Sequence, residues 1–104
     1  MQINITFRHM EPSPAIKEYI GEKLHKIKKY LQEPIEAHVV VAAEKFRHIV
    51  EVNIAAGNGT AIHGEERMED IRAAVDSVTD KIERQVKKQL EKTKRPKRRQ
   101  TRSS

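Results

Sequence analysis

The chain has 104 residues with a formal net charge of +6; 35% of the residues are charged, 4% are aromatic and none is cysteine. This length is typical of one small domain with a modest aliphatic core, and the lack of cysteine excludes disulfides and thiolate metal sites. Because there is no signal-peptide pattern and no apolar run near the ~18 residues of a spanning helix, we expect a cytoplasmic protein that needs no membrane.

The first two predicted elements are a strand and a helix. Apolar and polar residues alternate in "QINITF", which is typical of a half-buried strand. Ser13 followed by Pro14 is an N-cap and first-turn signal. Apolar residues then recur every three or four positions, which predicts an amphipathic helix of about 17 residues that Pro34 prevents from continuing. The apolar positions are Ile16, Ile20, Leu24, Ile27 and Leu31.

The middle and C-terminal parts of the chain predict two hairpins and a second helix. "IEAHVVVAAEKF" and "HIVEVNIAA" are typical of long strands joined without a glycine, and "GNGT" is a turn signal before a short strand, "TAIHGE". From about Met68 the apolar residues take helical spacing until Pro96 ends the helix near Arg95. Acidic residues crowd the predicted start of this helix, where they suit the positive end of its dipole. They are Glu65, Glu66, Glu69 and Asp70.

The order β-α-β-β-β-α predicts an α+β fold: a four-stranded mixed sheet with two helices packed on one face. The first crossover should join parallel strands, and the two hairpins antiparallel ones. We expect a domain over residues 1–92 and a disordered basic tail over residues 93–104. Residues 92–104 hold seven basic and no acidic side chains, so residues 1–91 are close to neutral, with 14 basic and 15 acidic ones. Such a tail is either a nucleic-acid-binding arm or a solubilising terminus or linker.

Each predicted helix carries a basic stripe beside its apolar stripe. On a helical wheel with 100° per residue, the basic stripe of the first helix lies beside Tyr19 and Tyr30. If both helices lie side by side, the two stripes could border one exposed groove suited to a phosphate backbone. The alternative is a solvated face with local ion pairs, such as Glu22–Lys26 and Asp80–Arg84. The stripe residues are Lys23 and Lys26, then Lys81, Arg84, Lys88 and Lys92.

No catalytic or metal-ligating group stands out in the sequence. The five histidines are scattered over different predicted elements without a ligand spacing, and "GNGT" is too short to grip a phosphate. We therefore expect no catalytic residue, no metal and no cofactor. A small enzyme or metal protein remains an alternative hypothesis.

Several blocks occur in a fixed order: "MQINIT", "EKFRH" between two strands, "GNGTAIHGEE", and "DIRAAVD" followed by "DKIERQVKK". Together they resemble the ribosome hibernation-promoting factor family, which includes the ribosome-associated translation inhibitors, over about residues 1–92. The resemblance implies a non-enzymatic stress or stationary-phase factor. Such a factor binds ribosomal RNA of the small ribosomal subunit in the mRNA and tRNA channel and inhibits translation, without a small-molecule substrate. The alternative is a general module for binding structured RNA.

The resemblance also assigns residues to rRNA binding. It carries over Lys23, Lys26, Lys81, Arg84 and Lys88, and Lys92 extends their stripe. Arg72 stands where the family usually has a tyrosine, and an arginine there can stack or bind phosphate. The secondary RNA-binding candidates are Lys29, Lys45, Arg72, Arg95, Lys97, Arg98 and Arg99.

Overall fold

A computed structural model describes residues 1–57 and 59–94, with side chains up to Glu91. Its elements in chain order are β1 (Gln2–Arg8), α1 (Pro14–Ile27), β2 (Glu36–Ala43), β3 (His48–Ala55), β4 (Ala61–Met68) and α2 (Ile71–Lys94). A turn of 3₁₀-helix, Lys28–Tyr30, extends α1 to the length that the sequence predicts for it. Neither helix in the described part combines the length and the apolarity needed to cross a bilayer.

The four strands form one mixed sheet in the order β1-β2-β3-β4. β1 pairs with β2 in parallel, while β2 with β3 and β3 with β4 pair antiparallel. Both helices bury their apolar stripes in the same core, and α2 packs over β3 and β4. The predicted α+β architecture and its strand directions are confirmed.

The core is aliphatic and lies between the sheet and the helices. In β2 and β3 the buried residues alternate with more exposed ones, so only one face of the sheet is covered. The predicted N-cap of α1 is present, because the Ser13 hydroxyl accepts a hydrogen bond of 3.2 Å from the Ile16 amide. The largest fully buried side chains are Ile20, Leu24, Ile27, Val39, Val41, Val50, Val52, Val75, Val78 and Ile82.

The predicted start of α2 was wrong by a few residues. β4 continues to Met68, so Glu65 and Glu66 lie in the strand and do not stabilise the helix dipole. The first turn of α2 contains no acidic residue. Instead, Asp70 just before the helix accepts a hydrogen bond of 3.2 Å from the Arg72 amide, which caps the helix. Pairing with β3 across the whole of β4 outweighs the local helical spacing.

The two hairpins are closed in different ways. Between β2 and β3 the Glu44 amide donates a hydrogen bond of 2.8 Å to the Arg47 carbonyl, which leaves Lys45 and Phe46 at the tip. Between β3 and β4 the turn uses Gly59 at φ 83°, a left-handed conformation that glycine adopts without strain. The first hairpin tip therefore needs no glycine, as its sequence indicates.

Candidate RNA-binding surface

A polar cluster joins α1 to α2. The Tyr19 hydroxyl donates a hydrogen bond to the Asp76 carboxylate, and the Lys23 ammonium lies 3.1 Å from the same carboxylate. The Lys23 nitrogen also lies 5.6 Å from the centre of the Tyr19 ring. These contacts show that the flank of α1 with Tyr19 and Lys23 faces α2, as the helical wheel allows.

The contacts within this cluster shift the pKa values of its three members. The hydrogen bond from Tyr19 and the neighbouring Lys23 hold the pKa of Asp76 below its usual value. The same carboxylate raises the pKa of Tyr19 and the pKa of Lys23, in each case mainly through the hydrogen bond to Asp76. At neutral pH the cluster therefore holds a carboxylate and an ammonium, and the charge of Lys23 is largely balanced within the protein.

Two cations of α2 lie over the tyrosines that border the groove between α1 and α2. The Arg72 guanidinium lies 4.8 Å from the centre of the Tyr19 ring, an internal contact between α2 and α1. The Lys87 nitrogen lies 5.4 Å from the centre of the Tyr30 ring and 3.5 Å from the Glu83 carboxylate. Lys87 and Asp76 were not among the residues predicted from the sequence. The signal that could have revealed them is the alternation of opposite charges at i and i+4 on one flank of α2.

The other flank of α2 faces β4. The Lys81 ammonium lies 2.6 Å from the Glu66 carboxylate of β4, and this pairing lowers the pKa of Glu66. One turn further, the Gln85 amide donates a hydrogen bond of 3.0 Å to the His63 carbonyl, also in β4. Lys88 follows Lys81 by two helical turns and lies about 20° from it toward Arg84, on the solvent side of this flank.

The prediction that both basic stripes border one groove is wrong. Lys23 of the α1 stripe faces the groove between the helices, whereas Lys81 pairs with Glu66 on the far flank of α2. Asp76 and Glu83 line the groove between them. The helical wheel gives the angle between residues, but which flank meets α1 depends on where the sheet places the two helices.

The predicted stripe cations that form no ion pair among the described residues lie on the outer surface of the helical layer. Lys26, Arg84 and Lys88 are exposed, and none of them forms an ion pair among the described residues. The alternative ion pairs Glu22–Lys26 and Asp80–Arg84 do not form within that part of the chain either. We call the outward surface of α1 and α2 that carries these three cations the helical face.

The remaining candidates divide into described and undescribed residues. Lys29 is exposed and its nitrogen lies 5.4 Å from the centre of the Tyr30 ring. Lys45 is exposed at the tip of the β2–β3 hairpin. The candidates Lys92, Arg95, Lys97, Arg98 and Arg99 lie outside the residues whose side chains the structure describes.

One group on the open face of the sheet has the side chains of a metal site. Donor atoms of Glu51, His63 and Glu65 lie within 4.8 Å of one another. The spacing of the histidines did not reveal this group, because Glu51 and Glu65 are paired across neighbouring strands. Arg67 lies 3.1 Å from Glu65 and competes with a metal ion for this carboxylate. Because His63 is also exposed, the three side chains would enclose an ion poorly.

Comparisons with known proteins agree with this architecture. The model of the family described as sigma 54 modulation protein / S30EA ribosomal protein matches residues 3–94. A Pseudomonas putida protein named ribosome hibernation promoting factor is 33% identical over 92 residues, covering 88% of this chain and 89% of that protein. The protein of the same name from Escherichia coli K12 is 33% identical over 94 residues, with coverages of 90% and 98%.

Solved structures show the same fold. The N-terminal domain of Thermus thermophilus Protein Y superposes with a TM-score of 0.77 at 28% identity, covering 85% of this chain and 98% of that one. A ribosomal subunit interface protein from Coxiella burnetii gives a TM-score of 0.75 at 27% identity, with coverages of 85% and 96%.

Proposed function

This chain belongs to the sigma 54 modulation protein / S30EA ribosomal protein family, and from that membership we propose that it is a ribosome hibernation factor. It acts by binding, without catalysis or a cofactor, and works in the cytoplasm, where its partner is. Two relatives that match most of the chain are named ribosome hibernation promoting factors, which supports this assignment.

We further propose that the partner is the small ribosomal subunit and that the contact is made with its ribosomal RNA. The observation that carries this proposal is the helical face, where Lys26, Arg84 and Lys88 are exposed and have no ion-pair partner among the residues that the structure describes. Arg84 and Lys88 are about 6 Å apart along α2, and two exposed cations at this spacing suit successive phosphates.

The proposed position on the subunit is the channel used by mRNA and by the tRNAs. A domain held there by its helical face excludes the translation substrates sterically, so inhibition needs no chemical step. Nothing on the helical face is arranged to read base edges, and recognition would depend on RNA shape and phosphate positions. Residues 1–92 form the proposed ribosome-binding domain, and residues 93–104 a basic tail that adds electrostatic affinity.

Charge reversal tests this proposal directly. The triple variant Lys26→Glu, Arg84→Glu and Lys88→Glu should lose co-sedimentation with small subunits at a salt concentration where the unmodified protein binds. Lys23 and Lys81 are left unchanged because both already pair with carboxylates, and reversing them would break internal contacts.

A control reverses two cations on the opposite flank of α1, against three in the triple variant. Lys17 and Lys28 lie on the flank of α1 turned away from α2, by their angle on the helical wheel. Reversing these two lysines should leave co-sedimentation nearly unchanged. Unchanged binding of the triple variant would contradict the helical face as the binding surface, and equal affinity for free duplex RNA and for small subunits would favour a general RNA-binding module.

A further inference from the structure

The tip of the β2–β3 hairpin presents an aromatic ring to solvent. Phe46 is 79% exposed, about twice the exposure of Met68 and Leu90, the other exposed large apolar side chains in the described residues. The hydrogen bond from the Glu44 amide to the Arg47 carbonyl fixes the tip on which it stands. An exposed phenylalanine on a closed, two-residue tip is presented in a defined position and contributes nothing to the core.

A cation precedes Phe46 in the chain and another follows it. Lys45 is exposed and forms no ion pair within the described chain. Arg47 uses its Nε to bond the Glu44 carboxylate at 3.3 Å, which leaves the terminal guanidinium nitrogens available for another acceptor. Glu44 also lies 3.6 Å from Arg67, so two guanidinium groups balance its charge.

The tip borders an open depression rather than a flat surface. The depression has a volume of about 630 Å³ and is lined by Glu44, Lys45, Phe46, Arg47 and Glu69. An aromatic ring beside two cations provides a face for a planar π-system and donors for an attached anion. A nucleotide unites these two features in one ligand.

We propose that this hairpin tip is a stacking site for an unpaired base of RNA, with Phe46 under the base and Lys45 and Arg47 on the flanking phosphates. Bases within a duplex are covered on both faces by their neighbours, so only an unstacked base in a loop, a bulge or a single strand offers a free face. The inference rests on the proposed function in taking ribosomal RNA as the natural source of that base.

The stacking site is distinct from the helical face. His48 at the base of the hairpin lies with its Nδ1 2.9 Å from the Glu69 carbonyl, which places the hairpin at the end where α2 begins. Lys88 lies about 25 Å further along that helix, at a rise of about 1.5 Å per residue. The two sites therefore contact RNA at two separated points and can be tested separately.

A single tryptophan reports on stacking. The chain has no tryptophan, so Phe46→Trp gives the full-length protein one fluorophore at the tip. A short single-stranded RNA should quench its emission, and the same RNA annealed to its complement should not. The control is Gln2→Trp, exposed at the opposite end of the sheet, whose emission should change little with either RNA. Quenching of Phe46→Trp no greater than that of the control, or equal quenching by the duplex, overturns the inference.

Ribosome binding provides the second readout. Phe46→Ala and Phe46→Leu should both weaken co-sedimentation with small subunits, roughly fivefold or more, while Phe46→Tyr should keep it. Leucine retains apolar bulk without a π face, so full binding by Phe46→Leu would indicate an apolar protein pocket and overturn RNA stacking. Because Phe46 is outside the core, unchanged thermal unfolding should accompany all three variants.

The two proposals fail in distinguishable ways. If single-stranded RNA quenches Phe46→Trp selectively while the charge-reversed helical face still co-sediments, the stacking site stands and the helical face fails. If charge reversal abolishes co-sedimentation while the tip shows neither quenching nor an effect of Phe46→Ala, the stacking site fails and the proposed function stands.

Discussion

Asp76 occupies the position where stability and binding oppose each other. Its carboxylate joins α1 to α2 by accepting from Tyr19 and pairing with Lys23. The same carboxylate puts a negative charge beside a surface that is proposed to meet phosphates. A single residue therefore holds the helices together and reduces the positive charge of the groove.

Replacing Asp76 by asparagine should separate these two effects. Asp76→Asn should lower the free energy of unfolding by about 0.5–1 kcal/mol, the scale of a partly exposed ion pair. It should also let co-sedimentation with small subunits persist to higher salt, because Lys23 is released and a negative charge is lost. Thermal unfolding and sedimentation at increasing salt measure the two effects, and weaker binding by this variant would contradict the assigned role.

The pH dependence of this stabilisation follows from the lowered pKa of Asp76. A group whose pKa is lower in the folded state stabilises the fold fully above its unfolded pKa, near ~3.9, and loses this effect as the pH falls through the folded value. The difference in Tm between the unmodified protein and Asp76→Asn should therefore be constant above about pH 5 and shrink below it. A difference that instead grows on acidification would show that another group is responsible.

At the scale of elements, two glycines should respond oppositely to the same substitution. Gly21 lies within α1, and an added Cβ meets no atom within 4 Å, so Gly21→Ala should raise stability by about 0.8–1 kcal/mol through helix propensity. Gly57 lies against the loop after α1, where a Cβ would stand 2.1 Å from the Glu33 carbonyl oxygen. Gly57→Ala must displace the backbone at Glu33 and should therefore lower Tm. Equal changes in Tm for Gly21→Ala and Gly57→Ala would contradict the different surroundings of the two glycines.

Periodicity and turn signals in the sequence predicted the strands, the two α-helices and their order, and the rules for crossovers and hairpins predicted the strand directions. The Ser13 cap and the alternation in β3 depend on residues that are neighbours in the chain, so the sequence alone predicts them. The relation between elements was harder to predict. Glu66 is sequentially near α2 yet belongs to a strand, and Lys81 turned out to face that strand instead of α1, because strand pairing and helix placement are decided by distant parts of the chain.

Across the whole molecule, residues 1–91 are nearly neutral, so any preference for RNA by this part must come from the placement of charges. The helical face carries cations without an ion pair in the described part of the chain, while the open face of the sheet carries acidic side chains, including Glu51 and Glu65. The molecule therefore resembles an oriented dipole more than a uniformly basic protein. The orientation of the protein on RNA, and not only its affinity for RNA, should depend on this separation of charge between the two faces.

Exchanging charges between the two faces tests this division without changing the net charge. Lys88→Glu alone should weaken binding to small subunits and reduce the dependence of log affinity on log salt by about 1, the effect of one lost phosphate contact. Adding Glu51→Lys restores the net charge on the opposite face and relieves a like-charge pairing with Glu65, so the fold should tolerate it. If placement decides binding, the double variant remains as weak as Lys88→Glu in sedimentation across a salt series. Recovery to the unmodified affinity would instead show that total charge is sufficient and that the faces have no separate roles.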